Sequence, residues 1–415
     1  MKFIADFHLH SKYSRATSRN MDLENLDKWA RIKGIKILGT GDFSHPEWFK
    51  SLKEKLEPSE PGLFKLRKQD GGTRFILTNE ISCIYSKNNR VRKIHIIIFS
   101  PSLEVTEKIN AQLGWIGNLK SDGRPILGLD AKELLKIALS ASEECLVVPA
   151  HAWTPWFAIF GSKSGFDSIE ECFDEYSKYI FAVETGLSSD PPMNWRLSSL
   201  DKITLISNSD SHSPPKIGRE ANVFDTEINY KEIIGAIKTK NPQKFLYTIE
   251  FFPEEGKYHF DGHRNCGIKL SPSETKKYNG ICPVCGRPLT VGVLNRVEEL
   301  ADRKEGFKPQ NAIPFRSLVP LGEIIADVLG QTTGTKEVEK EYNNLIEKLG
   351  SEFNVLLEAP KEKLEAATTP EISEGIMRVR EGKVTREAGY DGVYGKIRIF
   401  SGEEKKELSR QDTLF

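Results

Sequence analysis

With 415 residues the chain is long enough for two or three domains and at least one sizeable core. Lys plus Arg equals Asp plus Glu, 59 each, so a formal charge of zero gives no support for indiscriminate polyanion binding, although a local basic patch is still possible. No run of about 18 apolar residues is present to span a membrane, the N-terminus lacks the apolar stretch of a secretory leader, and six cysteines do not make a disulfide scaffold.

A reducing cytoplasm is the expected compartment. The abundance of Lys and Glu with few Gln, Met and Cys leans towards a thermophilic source.

Seven short apolar runs within the first 212 residues read as β-strands, each carrying a His, Asp or Glu. They are FIADFHLH (3–10), IKILGTGD (35–42), RFILTNE (74–80), KIHIIIF (93–99), CLVVPAH (145–151), FAVET (181–185) and TLISNSDSH (204–212). Strand side chains alternate faces, so His8 and His10 point the same way, and so should Asp210 and His212. Helical spacing is expected over 21–33, with Asp22 as cap, and over 46–56, 130–140 and 230–239. Strands alternating with helices predict βαβ units around a parallel sheet, here a distorted barrel of seven βα units. In such a barrel the strand ends converge on one face. The stretch from Trp153 to Asp174, rich in Gly, Ser and aromatic residues, reads as an active-site loop.

The pattern changes near Pro253. Residues to about Arg287 are rich in Gly and Cys with short strands at most, and Asn295–Lys304 reads as an exposed helix. Helical periods return at Leu321–Leu329 and Glu337–Leu349, residues 360–374 fit helix or linker, and Ile376–Phe400 is punctuated by glycines before a short strand. The expected organisation is a catalytic domain over 1–250, a zinc-binding module over 251–310, a mainly helical domain over 311–402 that contacts DNA, and a charged tail over 403–415. Residues 375–410 hold nine Lys and Arg against six acids, among Gly-bearing turns able to grip phosphate or simply be solvated.

The strand ends offer His8, His10, Asp42, His45, Glu80, His95, His151, Asp210 and His212 as metal ligands or as groups that orient them. Zinc, manganese and iron accept imidazole with carboxylate, whereas magnesium prefers oxygen. Two or three divalent ions in such a centre suit phosphoester hydrolysis, with Glu80 able to bridge and a histidine as general acid. Asp190 is read either as ligand or base beside Asp210 and His212, or as the cap of a helix beginning at Pro191. Arg196 is read as contacting phosphate or pairing with the Asp190 carboxylate. Cys282-Pro-Val-Cys285, with Gly286 easing the turn, has the form of a zinc knuckle. Cys266 is the expected third ligand of this structural zinc, and His263 or His259 the fourth.

These residues resemble the polymerase-and-histidinol-phosphatase (PHP) superfamily, through HLH at 8–10, GD at 41–42, Glu80, His95, PAH at 149–151 and DSH at 210–212. The resemblance implies one ion on His8, His10, Glu80 and Asp210, a second on Glu80, His95 and His151, and a third on His212 with Asp42 or His45. Two departures weaken the third position. Phe43 replaces a ligand histidine, and Arg15 and Ala16 stand where an early histidine is expected.

Across nearly the whole chain there is a narrower likeness to the archaeal endonuclease Q family. It is carried by DGHRNCG, CPVCGR, RVEELADR, AHAWTPWFAIFGSKSGFDSIEEC, ETGLSSDPPMNWR and SNSDSHSPPKIGREANVF. That likeness implies incision of DNA on the 5′ side of deaminated bases (hypoxanthine, uracil, xanthine) and of abasic sites, leaving a 3′-hydroxyl and a 5′-phosphate. A flipped base would stack on Trp153, Trp156 or Phe166 and be read by Gly165, Ser168 or Glu171. The end of the chain, Gln411 to Leu414 and Phe415, resembles the first half of a sliding-clamp-binding peptide without its aromatic pair. A small-molecule phosphoesterase of the histidinol-phosphatase kind and a DNA-binding scaffold without catalysis are the competing readings.

Overall fold

All seven apolar runs form strands in the computed structural model, which describes residues 1–67, 72–401 and 404. They are Lys2–Asp6, Ile37–Gly39, Arg74–Lys87, Arg90–Ser100, Leu146–Pro149, Ala182–Glu184 and Thr204–Ile206. One face of these strands is apolar because their alternate residues are. Ala5, Ile37, Ile76, Ile97, Val148, Ala182 and Ile206 meet Phe224 and Phe245 in one fully buried inner cluster. Phe7 and Phe99 close it edge to face, with ring centres 5.3 Å apart. The opposite strand faces and the helices share a second, larger cluster. The result is a mixed α/β architecture around a central sheet.

That sheet has eleven strands and is not all-parallel. Lys2–Asp6 pairs parallel with Ile37–Gly39, which pairs parallel with Arg74–Lys87. On its other side Lys2–Asp6 runs antiparallel to Ala221–Asp225, and that strand antiparallel to Phe245–Glu250; neither strand was expected from the sequence. Arg74–Lys87 and Arg90–Ser100 form a long antiparallel hairpin, against which Leu146–Pro149 adds another antiparallel edge. The reason lies in Asn88 and Asn89. Both take the left-handed conformation, φ 53° and 56°, as a two-residue hairpin turn demands. Ala182–Glu184 and Thr204–Ile206 pair parallel, apart from the main sheet among the described residues.

The expected helices form at Leu23–Lys33, Pro46–Lys55, Ala131–Ala141 and Tyr230–Thr239. Asp22, Asp130 and Asn229 cap three of them through backbone N–H groups. A further helix, Leu103–Ile116, follows the hairpin under a Ser102 cap.

Beyond residue 250 the chain stays tied to the central sheet, because Phe315–Ser317 pairs parallel with Phe245–Glu250. The helix expected to be exposed at 295–304 spans Val293–Leu300 and is half buried, since Val293 and Val297 face the core. Its Arg296 reaches back into the 153–174 loop, donating to the carbonyls of Phe160 (3.1 Å) and Phe166 (3.2 Å) and pairing with Asp167. The C-terminal part contains helices Leu321–Leu329, Lys336–Leu349, Lys361–Ala367 and Pro370–Arg380 and a small hairpin of Thr385–Glu387 with Lys396–Arg398. Gly375, read as part of a phosphate-gripping turn, is instead a buried helical residue packed on Val328 and Ile324. Among the described residues no helix is long and apolar enough to cross a membrane. The tail motif at 411–415 lies outside the described residues.

Replacing Arg296 with Met removes the donors to two loop carbonyls. An expected loss of about 2 kcal/mol follows from leaving such groups without partners, checked by chemical denaturation. Beneath the strands, Glu250 accepts from Thr185 (2.9 Å) and Ser207 (3.1 Å), and burial pushes its carboxyl up to about 8. The folded state therefore holds a proton that the unfolded state releases above its ordinary value near 4.5. Stability from this group is present at low pH and lost as pH rises towards about 8. Glu250→Gln should accordingly gain thermal stability relative to the parent at pH 9 compared with pH 5.

Candidate metal centre

The hairpin register decides which side chains meet. Glu80 pairs with Ile97 and Ser82 with His95, which puts Glu80 and His95 on one inward face as diagonal neighbours. Neither residue is at a strand end. His8 and His10 flank Leu9, which bridges in parallel to Ser211, so alternation sends both imidazoles to the same side and brings Asp210 to meet them.

Two clusters result, and they share Glu80. In the first, ligand atoms of His8, His10, Glu80 and Asp210 lie within 4.8 Å of one another. His10 Nε2 is 3.2 Å from Glu80 Oε2 and 3.0 Å from Asp210 Oδ1, and His8 Nε2 is 3.5 Å from each of those oxygens. In the second, the other Glu80 oxygen, Oε1, is 2.7 Å from His95 Nδ1 and 3.1 Å from His151 Nε2. One buried carboxylate thus gives one oxygen to each cluster.

The donor set fits divalent cations. His8 Nε2 is buried, points into the first cluster and has no hydrogen-bond partner. Its other nitrogen, Nδ1, is 3.0 Å from both oxygens of Glu184, which also accepts from the His151 backbone N–H (2.8 Å) and from Asn208 (2.9 Å). Donation of N–H to Glu184 leaves Nε2 as a lone pair, the arrangement metal-binding imidazoles use. His10 is held the same way by Asp42 at 3.1 Å, and His151 Nδ1 sits 3.1 Å from Thr154 Oγ1. Burial alone would raise the Glu80 carboxyl, but His95 and the Arg124 guanidinium hold it well below the usual carboxylate range. Backbone strain gathers here too: Asp42, His151 and Asp210 all have positive φ, at 50°, 28° and 46°.

Several sequence-based assignments move. Asp42 is not offered to a cluster, because Ser11 (2.6 Å from both N–H and hydroxyl) and Ser14 (2.8 Å) saturate the oxygen that His10 leaves. His45 stacks on Tyr13 at 4.4 Å and belongs to neither cluster. His212 lies 4.5 Å from the His10 ring with its Nδ1 donating to the Asp210 carbonyl (2.8 Å), beside the first cluster rather than in it. Asp190 has the capping geometry, accepting from the Met193 N–H at 3.0 Å, and burial pushes its carboxyl up to about 6. Arg196 is tied to Glu298 rather than to Asp190 or held out for phosphate.

In the 153–174 loop Trp153 is buried with its indole N–H on Asn194 (2.8 Å), and Phe166 is buried under Arg92. Neither has a face left for a base. Ser168 caps the short helix Ile169–Phe173, and Glu171 accepts from the Asp167 N–H. Trp156 alone of the three aromatics is open, 42% exposed, edge-on to Tyr258. Missed from the sequence were Glu184, Asn208 and Arg124. Glu184 carried a signal, an acid near the end of the apolar run FAVET. Arg124 carried none, because its loop has no periodicity.

The third cluster is the Cys–His knuckle, which has the donor set of a zinc site. His263, Cys266, Cys282 and Cys285 gather within 4.8 Å, with His263 Nδ1 3.4 Å from Cys285 Sγ. His259 is instead buried and stacked on Phe260. Desolvation works to raise the Cys282 thiol, but the backbone amides of Cys285 and Val284 bring it down to about 7, favouring the thiolate a metal needs.

Comparison with known proteins gives a consistent placement. The MJ0043 C-terminal domain family matches residues 320–383. Protein MJ0043 of Methanocaldococcus jannaschii is 35% identical over 258 residues, 60% of this chain, and the chain spans only 31% of that protein. Protein YqxK of Bacillus subtilis is 30% identical over 423 residues, 96% of this chain and 99% of that protein. The crystal structure of the lesion-specific endonuclease PfuEndoQ from Pyrococcus furiosus superposes with a TM-score of 0.86 at 32% identity, covering 98% of this chain and 99% of that one. The chain belongs to the endonuclease Q family. A second endonuclease Q structure, in complex with a 27-mer duplex carrying an abasic lesion at the active site, matches with a TM-score of 0.85 at 32% identity over 98% of each chain. Endonuclease Q is a metal-dependent DNA endonuclease, and the shared fold spans the catalytic sheet, the knuckle and the C-terminal helices alike.

Glu80→Gln should abolish metal binding at both clusters that share Glu80 while leaving the metal content of the Cys–His knuckle unchanged. Metal content per chain by plasma mass spectrometry checks this.

Proposed function

We propose that the chain is a cytoplasmic, DNA-associated repair endonuclease that hydrolyses the phosphodiester 5′ of deaminated bases and abasic sites. The single observation that carries the reading is Glu80 with one oxygen in each of two buried histidine–carboxylate clusters. Divalent cations held by His8, His10, Glu80 and Asp210 and by Glu80, His95 and His151 would supply an activated water and neutralise phosphate oxygens during an in-line displacement. Manganese, zinc and magnesium are the candidates, with one ion assigned to each of the two clusters.

The residues divide the remaining work. Glu184 and Asp42 hold the His8 and His10 rings in the orientation that aims Nε2 inward. His212, with Nδ1 bonded to the Asp210 carbonyl at the partly open side, is assigned as the general acid: as an imidazolium it would pass its Nε2 proton to the leaving oxygen. Trp156 follows from the neighbouring Phe157, whose ring is 4.6 Å from His95, and is assigned to stack a flipped nucleotide. Uracil, hypoxanthine and xanthine all show a carbonyl beside a ring N–H, so one donor and one acceptor from the same loop would read all three. The assigned domains are 1–250 for catalysis, 251–310 for the knuckle and 311–402 for contacts to DNA; the tail motif would serve a sliding clamp. A metal-folded knuckle and helical region suit a long polymeric substrate better than a small ester.

Purified protein with Mn²⁺, Mg²⁺ or Zn²⁺ and end-labelled duplexes bearing uracil, hypoxanthine, an abasic site or a normal base tests the reading. A single chelator-sensitive cut 5′ of the lesion is expected; release of phosphate from small esters without any cut would contradict it. Asp210→Asn should lower the cleavage rate by about 10²–10³-fold, the scale for losing one charge-stabilising group, while lesion binding by anisotropy stays near the parent value.

A further inference from the structure

Arg124 is the one Lys or Arg that pairs with a carboxylate of either cluster among the described residues, with Nη1 3.0 Å from Glu80 Oε2. Its position is built, not incidental. Gly123 packs so closely on the centre that a Cβ there would overlap Asp42 Oδ2 and Ser14 Oγ, and its N–H is held by the Tyr13 carbonyl at 3.1 Å. On either side, Asp122 Oδ1 accepts from the Arg124 backbone N–H (3.2 Å), and the Pro125 carbonyl accepts from the Ser82 N–H (3.0 Å). The loop is pinned, so little side-chain freedom remains to be lost when a substrate binds.

The guanidinium also faces the way in. His8, His10, Glu80 and His95 are buried, whereas the side chains of Asp210, Arg124 and His212 are 28%, 26% and 31% exposed and so form the mouth of the centre. A phosphodiester reaching the clusters passes these three. Asp210 is anionic, which leaves Arg124 as the permanent cation at the opening. Its only side-chain hydrogen bond among the described residues uses one of five N–H groups, so the planar fork keeps donors for two phosphate oxygens.

We infer that Arg124 is the phosphate-binding cation of this centre: it grips the non-bridging oxygens of the scissile phosphate and stabilises the charge that grows on them. The inference rests on the endonuclease reading and adds a residue to it. It also accounts for a centre built on two clusters, since the guanidinium supplies at the mouth a positive charge that a third ion would otherwise bring.

Arg124→Ala and Arg124→Lys, loaded with Mn²⁺, test it through single-turnover cleavage of a lesion duplex, metal content and calorimetric titration with inorganic phosphate. The alanine variant should keep both cluster ions, lose about 10²–10³-fold in rate, lose phosphate binding, and recover at least tenfold when guanidinium is added. The lysine variant should fall between, because a point charge replaces a bidentate fork. Alanine activity within threefold of the parent would overturn the inference, as would a loss that tracks missing metal and resists guanidinium. If the parent cuts no duplex, the endonuclease reading fails by itself. The phosphate titration then decides for Arg124, and equal phosphate affinity in parent and alanine variant refutes it.

Discussion

A fully buried carboxylate stays ionised only where positive charge compensates it, as it does at Glu80, the buried carboxylate around which this protein is arranged. Its two oxygens face different partners: His8, His10 and Arg124 on one side, His95 and His151 on the other. That division explains why four separate strand regions and one pinned loop converge within a few ångströms. It also explains why the surrounding imidazoles are themselves backed by carboxylates, Glu184 behind His8 and Asp42 behind His10. A single side chain thereby couples the two clusters, so that a change at one is felt at the other.

The architecture beyond the sheet serves access and rigidity. Arg296 threads from the Val293–Leu300 helix to the carbonyls of the 153–174 loop, so the segment that presents Trp156 is braced by the part of the chain that carries the knuckle. Phe315–Ser317 extends the catalytic sheet by one parallel strand, and the helices that follow are therefore fixed relative to the metal centre rather than tethered by a linker. For a DNA endonuclease, such continuity keeps the ligand clusters and the outlying surfaces in register. The 250/251 boundary drawn from composition marks a change in local pattern, and the sheet runs across it.

What the sequence disclosed follows the reach of local rules. His8 and His10 were legible because period-two alternation holds on both sides of Leu9. Asp210 and His212 looked like the same case, but the strand stops at Ile206 and Asp210 takes a positive φ, so the rule lapses and only Asp210 enters a cluster. The knuckle was legible because its ligands are close in sequence, and the choice between His259 and His263 was settled by packing. Non-local contacts were opaque. Arg196 finds Glu298 about a hundred residues away, Trp153 and Phe166 are buried by partners outside their loop, and the hairpin turned on two asparagines that the expectation of βαβ units passed over. Arg124 is the extreme case, since only the folded loop shows what it faces.

The most direct measurement is anomalous diffraction at the manganese edge from crystals of the protein soaked in Mn²⁺. Two peaks about 3.5–4 Å apart, one on each oxygen of Glu80, are what a carboxylate-bridged pair requires. A single peak, or density that leaves Glu80 paired with Arg124 and the imidazoles alone, would contradict the bridged centre.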